Sequence, residues 1–200
     1  RPPGGKSGSN TYGNGDVVDV LEAWMNQDGG RSQVVATYNQ YCGQYGKSPM
    51  SYDDAWCSET VSAAYASLGQ ADCIGGMAPD GFTFENNARN IGAWVEDKNY
   101  IPSRGDVLIT HNSSGDRHTS CVISCDGSTV KLIAGGGSDS IHYESVSVGS
   151  ERITGYIVPK GLPSREGVDA DYVQWAINIC NDDRYYYRSE EHTSELQSLA

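Results

Sequence analysis

No stretch of this 200-residue chain approaches the run of about 18 apolar residues that a membrane-spanning helix needs. Clusters of Lys and Arg are missing too. With 14 basic against 26 acidic residues the net charge is -12, which argues against nucleic acid as a partner. The amino-terminal RPPGGKSGSN lacks the apolar run of a signal peptide, which leaves localisation open. Cysteine is sparse: six residues, at 42, 57, 73, 121, 125 and 180, with no CxxC pair. That excludes a zinc ribbon and a disulfide-dense scaffold. Cys121 and Cys125 lie four apart in a predicted strand, about 13 Å along it, too far to bridge without a bend. No HxH or HExxH spacing occurs, so neither a metal nor another cofactor is expected.

What is present is glycine (24) and tyrosine (13), which suit a loop-rich domain with aromatic surface. Residues 1–15 read as a flexible linker. VVDVLEAWMNQ (17–27) carries Val17, Val20, Leu21 and Trp24 at helical offsets, and Gly29–Gly30 ends it. SQVVATYNQYCGQYG predicts a second short helix, with Val34, Tyr38 and Tyr41 in register. From Cys57, the residues Val61, Ala64, Tyr65 and Leu68 mark the clearest helix, closed by Gly69. ENNARNIGAWVED (85–97) predicts one more. The period then changes. Short β-branched runs at 106–110, 118–124, 129–135, 140–148 and 153–159 alternate with turn material. Helices followed by strands predict an α+β fold, with helices packed on a barrel-like antiparallel sheet of about five strands.

Residues 161–168 read as a linker, and 169–187 as the truncated start of a second domain, with Val173, Trp175, Ala176, Ile179 and Cys180 in helical register. RSEEHTSELQS (188–198) matches the forward translation of a widely used sequencing adapter at eleven consecutive residues. Residues 188–200 are therefore read as an assembly artefact, His192 included.

DDAWCSETVS places Cys57 at a helix start, where free N–H groups and the helix dipole favour a thiolate. The same N–H groups suit an oxyanion. A cysteine nucleophile needs a base, and His118 opens a strand where a loop meets a rigid element. His111, in HNSSGD, reads as an exposed turn residue, and His142 as a surface residue on a polar-alternating strand. Spacing alone leaves Cys57 and His118 as either a catalytic pair or two ordinary core residues.

DDAWCSETVSAAYASLG, NARNIGAWVEDKNYIPSRGDVLIT, HTSCVISCDGSTVKLIAGG and RITGYIVP together resemble the successive motifs of the CHAP domain. That family belongs to the NlpC-like, papain-fold cell-wall hydrolases. The resemblance runs from about Asp16 to Pro159, so residues 16–160 are read as the catalytic domain. It implies cleavage of peptidoglycan amides, as an endopeptidase or an N-acetylmuramoyl-L-alanine amidase, with Cys57 as nucleophile and His118, 61 positions on, as base. Gly105–Asp106 matches the family's first-strand Gly-Asp, which makes Arg104-Gly105-Asp106 a fold element rather than an integrin motif. Trp56, Tyr52 and Tyr41 are expected to line the cleft. The resemblance also implies a monomer acting at the bacterial cell wall, outside the cell or as a phage lysin. The 169–187 segment resembles the opening helix of another NlpC-like domain, and a further wall-binding or catalytic module is expected beyond it.

One departure stands out. The family carries its histidine-orienting residue on the strand after the histidine, in a segment like IEGN; here that segment is IAGG. Ala134 and Gly136 cannot orient an imidazole. The expectation is that Asp139 or Ser138 reaches back, or that activity is weak. Two alternatives follow: an inactive wall-binding or structural module of the same fold, and an acyl transferase using the same Cys–His pair.

Overall fold

The computed structural model describes residues 16–137 and 139–162. Helix α1 (Val17–Met25) starts where the Asp16 side chain accepts the N–H groups of Val18 and Asp19, while Asp19 caps back onto the Asp16 N–H. Such a capping box satisfies amides that have no intrahelical acceptor. Arg104 pairs with both Asp16 and Asp19 and so anchors this helix start to the loop before the sheet. Helix α2 (Arg31–Tyr41) follows and runs into a turn of 3-10 helix, Cys42–Tyr45.

Helix α3 (Cys57–Ser67) is the centre of the domain. Every residue from Ser58 to Ala66 is buried, an all-round burial that explains its small side chains. Alanine, serine and threonine let α1, α2 and the sheet approach it closely. The Tyr65 hydroxyl donates to the Gly105 carbonyl and ties α3 to the loop before the second strand. Asp106, also buried, accepts from the Ser103 N–H and the Tyr100 hydroxyl. The Arg104–Asp106 triplet is thus bound into the fold. Helix α4 (Gly81–Asn90) is capped by Asp80, which accepts the Thr83 N–H.

Six antiparallel strands follow: β1 (Trp94–Val95), β2 (Val107–His111), β3 (Arg117–Cys125), β4 (Thr129–Ala134), β5 (His142–Ser147) and β6 (Ile153–Ile157). Their order is β1-β6-β2-β3-β4-β5, an open sheet with β1 and β5 at its edges. The main apolar core lies between helices and sheet; Leu108, Val122, Val130, Leu132, Ile153 and Tyr156 form a second cluster. The α+β order and five of the strands agree with the sequence reading, and the sixth corrects it. The predicted helix over 85–97 ends at Asn90, because Gly92 turns left-handed (φ 69°) and Trp94–Val95 pairs with Tyr156–Ile157. The amino-terminal linker, the 163–168 part of the second linker, the 169–187 segment and the adapter-like tail lie outside the described residues. No helix among the described residues is long and apolar enough to cross a membrane.

Candidate active site

Cys57 is the first residue of α3, so its N–H belongs to the first-turn amides without an intrahelical acceptor. His118 is the second residue of β3. One residue further along each element, Ser58 Oγ and Thr119 Oγ1 share a buried 2.8 Å hydrogen bond. This bond fixes the start of α3 against β3 and sets Cys57 and His118 near enough for each to shift the other's titration. Gly136 lies over the same spot at φ 98°, where an added Cβ would stand 4.0 Å from the Cys57 N and Cβ.

The other side of the imidazole meets a residue that the sequence reading missed. His118 Nε2 lies 3.0 and 3.2 Å from the two carboxylate oxygens of Glu144 on β5. A carboxylate accepts only, so Nε2 carries the proton, and Nδ1 is the nitrogen left for the thiol. The Ser120 hydroxyl also donates to Glu144, and His142 Nε2 stands 3.7 Å from its second oxygen. The register explains how a residue two strands away gets there. Val122 pairs with Leu132, and Leu132 with Glu144; Ala134 pairs with His142. Continuing the register sets Ala134 beside Ser120, between β3 and the His142–Glu144 edge. Its methyl group leaves the space through which the Glu144 carboxylate reaches Ser120 and His118. The small residue at 134 and the glutamate at 144 form one arrangement.

The remaining sequence candidates fall elsewhere. Asp139 is 72% exposed by side chain, and its carboxylate pairs with Arg31 rather than His118. It sits at φ 63°, and the backbone there directs its side chain toward α2. Ser138 lies outside the described residues. Trp56 is only 3% exposed, which corrects its assignment to an open cleft. As the residue before α3 it is packed beneath Gly135, where a Cβ would come within 2.8 Å of its ring, and the Arg31 guanidinium stacks 5.4 Å from its centroid. Tyr52 is 54% exposed, donates to Ser32 Oγ and lies 5.8 Å from the Arg31 guanidinium. Tyr41 is partly buried against the helical core. His111 bonds Thr154 Oγ1 on the sheet.

The electrostatics form a relay. Burial pushes the Cys57 thiol up, but the hydrogen bond and charge of His118, with the Thr119 N–H, outweigh it and hold the thiol below its ordinary value. His118 is raised to about 10 by its bonds to Cys57 and Glu144, against the opposing effect of burial. Burial raises Glu144, yet His118, Ser120 and His142 hold it low, hence ionised. The shifts run in the direction that favours a thiolate beside an imidazolium. The expected consequence is selective alkylation. At about pH 6.5, iodoacetamide should modify Cys57 at least about tenfold faster than Cys73, whose thiol burial pushes up. Peptide mapping by mass spectrometry after a brief pulse reads this, and equal labelling would contradict it. None of the described cysteines is in a disulfide, and no group of three potential metal ligands occurs among the described residues.

Glu59 shares the first turn of α3 and is raised to about 8, chiefly by burial, with Cys57, Asp54 and Asp80 adding repulsion. Between the ordinary carboxylate value and about 8, the folded protein keeps a proton that the unfolded chain has lost. Stability therefore falls as pH rises through that window. Glu59→Gln should raise Tm at about pH 8.5 and leave it unchanged near pH 4, which thermal melts at the two pH values check.

No family model and no curated protein matches the chain. Among solved structures, one described as the crystal structure of Ly7917 is similar over 52% of each chain, at 17% identity and a TM-score of 0.38. The chain thus spans about half the length of that structure.

Proposed function

We propose that this chain is a cysteine-dependent peptidoglycan hydrolase of the CHAP type, which cleaves an amide bond through a thioester acyl-enzyme. The observation that carries the reading is the Glu144 carboxylate on His118 Nε2, with Cys57 at a helix start near enough to that imidazole to shift its titration. This is the arrangement that activates a nucleophile and fixes the tautomer of its base. The papain-like arrangement of N-terminal helices on an antiparallel sheet supports it, as does the resemblance of the motifs around Cys57 and His118 in the sequence.

The Cys57 thiolate attacks the carbonyl carbon of a stem- or cross-bridge amide, the C–S bond forms, and the C=O π electrons move to oxygen. The Cys57 N–H at the start of α3 faces the developing oxyanion. His118 gives its Nδ1 proton to the leaving nitrogen as the C–N bond breaks, leaving a thioester. It then takes a proton from water, whose oxygen attacks the thioester carbonyl. The acid departs and the thiolate and imidazolium are restored. Glu144 stays ionised throughout and holds Nε2–H. The inactive-module alternative rested on the lack of an orienting group at 134 and 136, and Glu144 removes that motive.

Zymography on cell walls tests the reading. The unsubstituted protein should clear a band that Cys57→Ala does not, and identical lanes would sink it. Action at the wall, whether secreted or as a phage lysin, and any second module after residue 168 are parts of the same proposal.

A further inference from the structure

On the α2 side of the same helix start lies a cavity of about 540 Å³, lined by Tyr38, Lys47, Met50, Asp54, Glu59 and Pro79 among others. Two of its polar groups have no partner. Glu59 is 3% exposed and its Oε2 makes no hydrogen bond; the fully buried Tyr38 hydroxyl makes none either. A buried carboxylate oxygen and a buried hydroxyl without partners cost on the order of 1–3 kcal/mol each. Such a cost is hard to account for in packing alone, because glutamine and phenylalanine would fill the same volume. The lining holds two carboxylates, Glu59 and Asp54, against one cation, Lys47, and Lys47 forms no ion pair with Glu59 among the described residues.

We propose that this cavity is a substrate subsite for a primary ammonium group, received by the Glu59 carboxylate and the Tyr38 hydroxyl. This deepens the hydrolase reading and rests on it for the identity of the substrate, a peptide of the wall. An alkylammonium brings three donors and a positive charge to a site that offers unpaired acceptors and an acidic wall. Glu59 is two residues from Cys57, and side chains two apart leave a helix on opposite sides. A peptide lying across the start of α3 therefore sets its scissile carbonyl at Cys57 and its amine in the cavity. A helix is about 10–12 Å across with side chains, so the amine belongs to a residue about two or three positions from the bond cleaved.

The groups facing Glu59 are Cys57 on its own helix, Asp54 from the preceding loop, Asp80 at the start of α4 and Tyr38 from α2, with Lys47 in the lining. Of these, Cys57, Asp54 and Asp80 oppose its ionisation, after burial. Below about pH 8 a bound ammonium must therefore displace a proton, so its affinity falls by up to about tenfold per pH unit.

The test is calorimetric titration of the full chain carrying Cys57→Ala, which binds without turnover. The probes are a synthetic stem tetrapeptide with free amines and the same peptide with its amines acetylated. At about pH 8.5 the free-amine form should bind at least about tenfold tighter, and at about pH 6.5 much of that margin should be gone. Adding Glu59→Gln should bring the two peptides within about twofold, and Tyr38→Phe should narrow the gap in part; thermal melts check that both variants fold. Equal affinities with Glu59 present, binding of neither peptide, or a preference that survives Glu59→Gln would each overturn the subsite. Failure of the hydrolase reading looks different: amine preference with no Cys57-dependent wall cleavage removes the enzyme and keeps the subsite.

Discussion

His118→Ala should abolish wall hydrolysis, with a loss in kcat on the order of 10⁴- to 10⁶-fold. In the proposed mechanism one imidazole performs three tasks. It withdraws the thiol proton, its charge holds the thiolate, and it returns a proton to the leaving amine. Each task alone is worth orders of magnitude, and they are lost together because a single side chain carries them. A second readout separates this from a folding defect. Without the imidazolium, the remaining influence on Cys57 is burial, which pushes the thiol up, against weaker help from the Thr119 N–H and Ser58. Alkylation at about pH 6.5 should therefore slow sharply in His118→Ala while the Ser58–Thr119 bond still holds the helix to the sheet. A variant that keeps rapid alkylation would show that His118 does not set the state of the thiol.

Glu144→Ala should lower kcat on the order of 10²- to 10⁴-fold and leave KM nearly unchanged, since Glu144 meets the imidazole and not the substrate. Glu144 here is a positioning residue. It fixes the proton on Nε2 and so keeps Nδ1 for the thiol. Its loss should also shift the pH profile. The carboxylate helps to raise His118, so the alkaline limb of kcat/KM should move to lower pH in Glu144→Ala. The geometry makes a sharper claim through Ala134. If a small residue at 134 is what lets the carboxylate arrive from β5, then Ala134→Glu added to Glu144→Ala should return part of the lost rate from the neighbouring strand. Ala134→Glu alone would crowd two carboxylates onto one imidazole and should be worse than the double variant. Activity that is indifferent to Glu144 would remove the third member of the site.

The places of Cys57 at the start of α3 and His118 near the start of β3 were legible because each is signalled locally: a cysteine at the start of a helical stripe, and a histidine where a loop becomes a strand. Glu144 was not, because it lies 26 positions from His118 and reaches it across an intervening strand. That contact exists only once the β3–β4–β5 register is set and residue 134 is small. A signal was nonetheless present in SIHYESVSV. Val146 marks the inward side of an alternating strand, and period two puts Glu144 and His142 on that same side. An inward glutamate needs a partner, and His118 is one. Asp139 was preferred for its closeness in sequence to IAGG, but its left-handed backbone and the pull of Arg31 turn it away. Trp56 misled in a similar way, since the residue before a buried helix points into the core as readily as out of it. The short strand Trp94–Val95 was hidden because two residues carry too little periodicity to stand out after a helix.

The central claim is that the Cys57 thiol breaks an amide bond of the cell wall. Its most direct measurement is the release of new primary amines from purified peptidoglycan incubated with the full chain and with Cys57→Ala at matched concentration. The account predicts a steady rise in amines with the unsubstituted protein and none above buffer with Cys57→Ala. Equal release by both proteins, or none by either, would contradict it.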